Sequence, residues 1–225
     1  MTDFAAQRRM MVDGQVRTAD VTDLRLLAAM LELPRERFFP DEKASLAYLD
    51  LDAPVSAPGQ PVRRLLKPMV LAKMIQAAGI TATDHVLDVG CASGYSTALL
   101  AHLAGSVVGL EEDAALARQA AEAMSSAGKS SDGRPTAKIV TGPLARGCAS
   151  EGPYDVILLQ GSAEVVPPAL FDQLREGGRL VGVLGSGQGK AMFYRRAQND
   201  FSGRPVFDAA AGALPGFAKP AEFVF

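Results

Sequence analysis

His85-Val-Leu-Asp-Val-Gly-Cys-Ala-Ser-Gly94, followed beyond a stretch of small residues by Ser106-Val-Val-Gly-Leu-Glu111, is the part of the chain on which the fold turns. Each segment opens as a short apolar run and closes on an acid or a glycine turn. Tyr95 to Leu103 between them reads as a helix of small residues, so the unit is strand, glycine loop, helix, strand. The alternation continues downstream. Ala114 to Met124 reads as a helix, Ser125 to Pro135 as a flexible surface loop, and Ala137 to Val140 as a third strand. Tyr154 to Leu159 is a fourth strand. Pro168 to Leu174 is a short helix closed by Glu176-Gly-Gly178, and Arg179 to Leu184 is a fifth strand. Upstream, Met69 to Ala78 is an amphipathic helix stopped by Gly79. Strands that are apolar throughout and alternate with helices imply a parallel sheet covered on both faces. The β-leaning runs Ala191-Met-Phe-Tyr194 and Glu222-Phe-Val-Phe225 complete the sheet edge with antiparallel strands. The expected fold is α/β: a doubly wound, mostly parallel seven-stranded Rossmann-like sheet with an N-terminal helical extension.

The extension takes residues 1–67 and the core 68–225. In the extension, Thr22 or Asp23 can cap a helix with Leu24, Leu27, Ala28 and Leu31 on one face, and Phe38-Phe39-Pro40 forms an apolar plug. Pro54, Pro58, Gly59, Pro61 and Pro68 punctuate an irregular loop from Leu51 to Pro68. Loops of that length in compact domains usually carry function or are disordered.

Composition excludes several classes. The 225 residues are 48% hydrophobic and 21% charged, enough to bury a full core. A net charge of −2 argues against coating a nucleic-acid backbone. The two cysteines, Cys91 and Cys148, are too few for a disulfide framework, and His85 and His102 lie too far apart to suggest a metal site. No run reaches the ~18–20 apolar residues that cross a bilayer. The start, MTDFAAQRRMMVDGQ, carries charges where a signal peptide has its apolar stretch. The expectation is a reduced, cytoplasmic protein without nucleic-acid or membrane partners.

In an open parallel sheet, ligands bind beyond the carboxyl ends of the strands where strand order reverses. Gly90 and Gly94 let the backbone approach a ligand there, and Glu111 can accept both hydroxyls of an adenosine ribose. That much fits a nicotinamide dinucleotide and S-adenosylmethionine equally. The loop separates them. Dinucleotide loops press G-x-G-x-x-G amides on a pyrophosphate, whereas this loop is Asp88-x-Gly90-x-x-x-Gly94 with no middle glycine. An acid in the loop repels pyrophosphate and suits the ammonium and sulfonium of S-adenosyl-L-methionine. Cys91 has no basic neighbour to lower its pKa and reads as a packing residue.

These residues resemble a class I S-adenosylmethionine-dependent methyltransferase and, more narrowly, the protein-L-isoaspartate O-methyltransferases. Asp23-Leu-Arg-Leu-Leu-Ala-Ala-Met30 with Leu33-Pro-Arg-Glu-Arg-Phe-Phe-Pro40 is similar to that family's opening helix and its V-P-R-E-x-F-V-P segment. Ala47-Tyr48 with Asp50, Pro68-Met-Val-Leu-Ala-Lys-Met74, Pro153-Tyr-Asp155 and Gly177-Gly-Arg-Leu180 resemble further family elements. The resemblance implies that Asp88, Gly90, Cys91, Ala92 and Gly94 cradle the methionine part of the cofactor. It implies that Glu111, with Glu112 beside it, holds the ribose, and that Gly142, Pro143 and Leu144 lie beside the adenine. Gln160, just past the fourth strand, joins this cofactor-binding set.

The resemblance breaks in two places. Pro143 stands where the family has an acid that accepts from the adenine amine. Leu66 stands where the family places a serine that touches the substrate carboxylate, and leucine cannot donate a hydrogen bond. Arg63, Arg64 and Lys67 surround that position, and Arg64 and Lys67 are the candidate carboxylate-binding residues. The implied partners are isoaspartyl-containing proteins or peptides, or an anionic small molecule, and the implied assembly is a monomer or weak homodimer. The alternatives are another acceptor on the same scaffold and a non-catalytic cofactor-binding module.

Overall fold

A computed structural model describes residues 3–57, 59–126, 137–198 and 200–219. The N-terminal extension is helical, as its pattern predicts. The Asp3 carboxylate accepts from the Ala6 amide and opens α1 (Phe4–Met11), which runs into a π turn at Val12–Val16 and a 3-10 turn at Arg17–Ala19. Of the two candidate caps, Asp23 is the one used: it accepts from the Arg25 and Leu26 amides at the start of α2 (Leu24–Glu32). Short 3-10 turns at Arg35–Phe38 and Asp41–Leu46 follow, with Phe38 and Phe39 both buried as the apolar plug.

The stretch from Leu51 to Pro68 is more regular than its prolines suggest. Ala53–Pro54 (β1) pairs antiparallel with Arg64–Leu65 (β2), and the Val55 amide donates to the Arg63 carbonyl. The Ser56 hydroxyl closes the turn on the Pro61 carbonyl. Pairing across ten residues leaves no periodic trace in the sequence. Pro68 then occupies the first turn of α3 (Pro68–Ala78), where its missing N–H costs nothing, and Gly79 ends the helix at φ +59°.

The core sheet follows: β3 (His85–Val89), α4 (Tyr95–Ala101), β4 (Ser106–Glu111), α5 (Ala114–Ser126), β5 (Ala137–Thr141), β6 (Tyr154–Ala163), α6 (Pro168–Asp172), β7 (Leu174–Leu184), β8 (Gly189–Ala197) and β9 (Asp200–Ala209). Strand order is β5-β4-β3-β6-β7-β8-β9, parallel through β7 and antiparallel for β8 and β9. This is the expected seven-stranded doubly wound sheet with an antiparallel edge.

Several boundaries move. β6 continues four residues beyond Leu159. Glu176-Gly-Gly178 belongs to β7 rather than to a helix end, because Tyr154 already pairs with Leu174 before a register shift. α6 stops at Asp172 and α4 at Ala101, each shorter than its apolar spacing suggests. α5 runs to Ser126, so the loop expected from Ser125 begins two residues later at the earliest; residues 127–136 and the Glu222–Phe225 run lie outside the described residues.

Alternate residues of β3 feed the two faces. Val86 joins the cluster formed with α1 to α4 and the extension, whereas Leu87 and Val89 join a second cluster with Tyr154, Leu159 and Leu170. The chain leaves β3 for β4 and β5, then returns on the other side of β3 as β6. The order therefore reverses at β3, with Val89 level with Leu110 on one side and Leu159 on the other. No helix of the described residues is long and apolar enough to cross a membrane.

Candidate cofactor and acceptor site

Asp88, one residue before the end of β3, is fully buried and points toward α4. One oxygen accepts from Ser96 Oγ and Thr97 Oγ1, both at 2.7 Å, and the other from Gln160 Nε2 at 2.6 Å. Burial pushes its pKa up to about 6, against the pull of these three hydrogen bonds and with a smaller push from Glu111. Gln160 thus enters the site through Asp88, which its place beyond the fourth strand did not specify.

The loop after β3 folds tightly. Gly90 and Gly94 have φ of +79° and +92°, and Ala92 between them also adopts a left-handed conformation at +50°. The Gly90 and Cys91 amides donate to the Leu110 carbonyl, which ties the loop to the neighbouring strand end. Cys91 is buried, and burial followed by the charges of Asp88 and Glu111 holds its thiol well above its ordinary pKa. It packs against the loop.

Glu111 closes β4 and is also fully buried. Its Oε1 accepts from the Glu112 amide (3.0 Å), the Asp113 amide (3.2 Å) and Arg63 Nε (3.2 Å). Its Oε2 accepts from the Ala92 amide (2.8 Å) and Arg63 Nη2 (2.9 Å). Arg63 and Glu111 therefore form a buried side-on ion pair, their side chains 8% and 0% exposed. The Glu112 side chain is exposed, so its part in the cradle is its backbone amide.

Above Gly90 the space is taken. A Cβ there would lie 2.7 Å from Leu214 Cδ2, 2.9 Å from Arg63 Nη2 and 3.5 Å from Leu144 Cδ1. Leu144 thus borders the glycine loop from the β5 side. The Gly142 amide donates to the Glu111 carbonyl, and Pro143 is exposed. Leu214 arrives from the tail, where the Ser162 amide donates to the Gly212 carbonyl and the Leu214 amide to the Ser162 carbonyl, extending β6's edge in parallel. Nothing in the local pattern of Ala213-Leu214-Pro215 marks it as a site residue, because its contact partner lies more than a hundred residues away.

The donor set suits S-adenosylmethionine. Two buried carboxylates end adjacent strands, a glycine-turned loop joins them, and Ser93 Oγ in that loop is buried without a hydrogen-bond partner. The space over Gly90 is filled by the side chains of Arg63 and Leu214, both of them flexible.

The three cations before α3 separate. Arg64 is exposed and its Nη1 donates to the Asp52 carbonyl. Lys67 donates its amide to Asp52 Oδ1 and lines an open groove of about 750 Å3 with Val70, Leu184, Lys190 and Asp208. Arg63, Arg64, Leu66 and Gln160 line a second cleft of about 130 Å3. A further arginine, Arg35, stabilises this segment from behind. It is buried, donates to the Ala47 and Leu66 carbonyls at 2.7 and 2.9 Å, and lies 4.5 Å over the Tyr95 ring that follows the glycine loop. Among the described residues no cluster could hold a metal ion.

Residues 6–207 match the family model of protein-L-isoaspartate(D-aspartate) O-methyltransferase. A protein-L-isoaspartate O-methyltransferase of Koribacter versatilis is 37% identical over 198 residues, covering 88% of this chain and 85% of the relative. Among solved structures, a protein-L-isoaspartate O-methyltransferase superposes with a TM-score of 0.79 at 23% identity, over 93% of this chain and 66% of that one. A Plasmodium falciparum protein described as a β-aspartate methyltransferase, in complex with S-adenosyl-L-homocysteine, gives 0.76 at 19% identity over 95% and 99%. At those identities the structures speak for the fold, and the sequence matches carry the family.

Proposed function

The chain belongs to the protein-L-isoaspartate(D-aspartate) O-methyltransferase family, and from that membership we propose that it methylates the free carboxylate of isoaspartyl residues in peptides or proteins, using S-adenosylmethionine. The observation that carries the reading is the pair of buried carboxylates near the ends of the adjacent strands β3 and β4, Asp88 just before the glycine loop and Glu111 accepting from that loop's Ala92 amide.

When bound, the cofactor supplies an electrophilic methyl on a sulfonium. An acceptor carboxylate is already ionised at neutral pH, so no residue has to remove a proton. That agrees with a site whose polar groups are carboxylates, hydroxyls, amides and the Arg63 guanidinium rather than a histidine. Glu111 would hold the ribose hydroxyls. Asp88, oriented by Ser96, Thr97 and Gln160, would present negative charge to the cationic end of the cofactor. Leu66, Leu144 and Leu214 would keep water from the reacting atoms, and Arg35 would fix the acceptor segment through the Leu66 carbonyl.

Transfer of isotopically labelled methyl from S-adenosylmethionine to an isoaspartyl peptide tests this directly. Base-labile label on that peptide, and none on its aspartyl isomer, is expected; base-stable label or none on either contradicts the reading. One residue favours a different anionic acceptor: Leu66 is buried and brings no hydroxyl to the segment. If the acceptor is isoaspartyl, Leu66→Ser should raise kcat/KM for the peptide about tenfold, the worth of one hydrogen bond of ~1–1.5 kcal/mol. An unchanged value means that the carboxylate is recognised by a residue other than the one at position 66.

Asp88 also makes cofactor affinity depend on pH. With a pKa of about 6 in the free protein, it is largely ionised above pH 7 and protonated below pH 5. A cationic ligand favours the ionised form and lowers that pKa on binding. Its Kd should therefore be flat above pH 7 and weaken as pH falls through 6, by up to about tenfold per unit. In Asp88→Asn that slope should disappear, as calorimetry at several pH values would show.

A further inference from the structure

We infer that Arg63 is the acceptor-selecting cation of this site, held on Glu111 in the free protein and released toward the acceptor's carboxylate when the cofactor's ribose takes Glu111. The inference rests on the methyltransferase reading above.

Glu111 has no spare capacity in this structure. Five donors converge on its two oxygens, three of them backbone amides fixed by the glycine loop and the end of β4. A ribose diol can gain those oxygens only from the donors that can leave, and those are the two on the Arg63 side chain. The same guanidinium, with Leu214, fills the space over Gly90. Ligand and Arg63 therefore compete for one place.

The side chain can leave without its backbone. The Arg63 amide donates to Ser56 Oγ and its carbonyl accepts from the Val55 amide, so the hairpin holds the main chain while the guanidinium swings. The adjoining cleft, lined by Arg63 itself, Arg64, Leu66 and Gln160, presents no carboxylate among the described residues. A desolvated guanidinium in that cleft needs an anion, and its Nε and Nη2 already grip a carboxylate side-on at Glu111. The acceptor's carboxylate supplies the same group. This device would perform, with charge, the recognition that Leu66 cannot perform with a hydroxyl. Arg64 lines the same cleft, but it is exposed there and its Nη1 is engaged on the Asp52 carbonyl, whereas Lys67 lines the other groove. The arrangement also orders the reaction: the acceptor's cation is free only after the cofactor is in place.

The test measures S-adenosylhomocysteine binding by calorimetry and isoaspartyl-peptide kinetics for the wild type, Arg63→Ala and Arg63→Lys, with thermal melts to establish folding. Arg63→Ala should bind S-adenosylhomocysteine about tenfold more tightly, because the competing occupant is gone. Its peptide KM should rise about tenfold or more, with the loss falling on KM more than on kcat. Arg63→Lys, which keeps the charge but not the fork, should lie between. Unchanged or weaker binding in both folded variants, or an unchanged peptide KM, overturns the inference. If wild type and variants alike fail to bind S-adenosylhomocysteine, the methyltransferase reading falls and takes the inference with it.

Discussion

Glu111→Ala should lose S-adenosylhomocysteine binding by a factor of about a hundred or more and should also weaken the fold. The two effects have separate causes. The ligand loses a carboxylate that would accept two ribose hydroxyls, and hydrogen bonds to a charged group are worth ~1.5–3 kcal/mol each, with ~1.4 kcal/mol per decade of affinity. The free protein loses the counter-charge of a buried arginine and the acceptor of the Ala92, Glu112 and Asp113 amides. Removing one partner of a buried pair typically costs ~3–5 kcal/mol. Urea denaturation should show a loss in that range, reduced where Arg63 swings to solvent. Glu111→Gln keeps the shape and one acceptor, so its stability loss should be smaller while ligand binding still falls. A Glu111→Ala variant with wild-type stability would mean that the Arg63 pair contributes nothing to the free protein.

Gly94→Ala should be among the most destabilising single changes in the glycine loop, by about 3 kcal/mol. The residue has φ +92°, and its new methyl would lie 2.9 Å from Ala120 Cβ and 3.1 Å from Ala120 Cα. The obstacle is the backbone of α5, which cannot step aside. A residue held in a region that favours glycine costs ~1–3 kcal/mol, and overpacking adds a similar amount. At roughly 2–4 °C per kcal/mol for a chain of this size, the melting temperature should fall by about 6–12 °C. Gly90→Ala meets Arg63 and Leu214 side chains instead, which can move. It should cost less stability and more ligand affinity. Gly14→Ala meets nothing within 4 Å and should leave the melt within about 2 °C, which makes it the control.

How much of this was legible in the sequence depended on whether the cause was local. β3 and β4 announce themselves because they are buried on both faces and so apolar throughout, and the acids at their ends stand out against that background. Asp88 and Glu111 stand out for that reason, and both are fully buried. Short pairings were not legible: β1 and β2 are two residues each, held by a partner ten residues off and by Ser56. The expected roles of Arg64 and Lys67 came from their types and position, whereas the structure puts Arg63 on the buried carboxylate. Arg63 turns inward from a main chain held by Ser56 Oγ and the Val55 amide across the hairpin, and no periodicity of three neighbouring cations records that. Leu214 and Arg35 were missed for a related reason. Each acts across a long separation in sequence, on Gly90 and on the Leu66 carbonyl, and each looks locally like an ordinary loop or surface residue.

The acid-lined glycine loop accepts a sulfur nucleoside that carries an ammonium group and rejects a pyrophosphate. Parallel calorimetric titrations of the wild-type protein with S-adenosylhomocysteine and with NAD separate the two ligands. Saturable one-to-one binding of S-adenosylhomocysteine, with no heat from NAD, is the expected result. Saturable NAD binding with none of S-adenosylhomocysteine at millimolar concentration would contradict it.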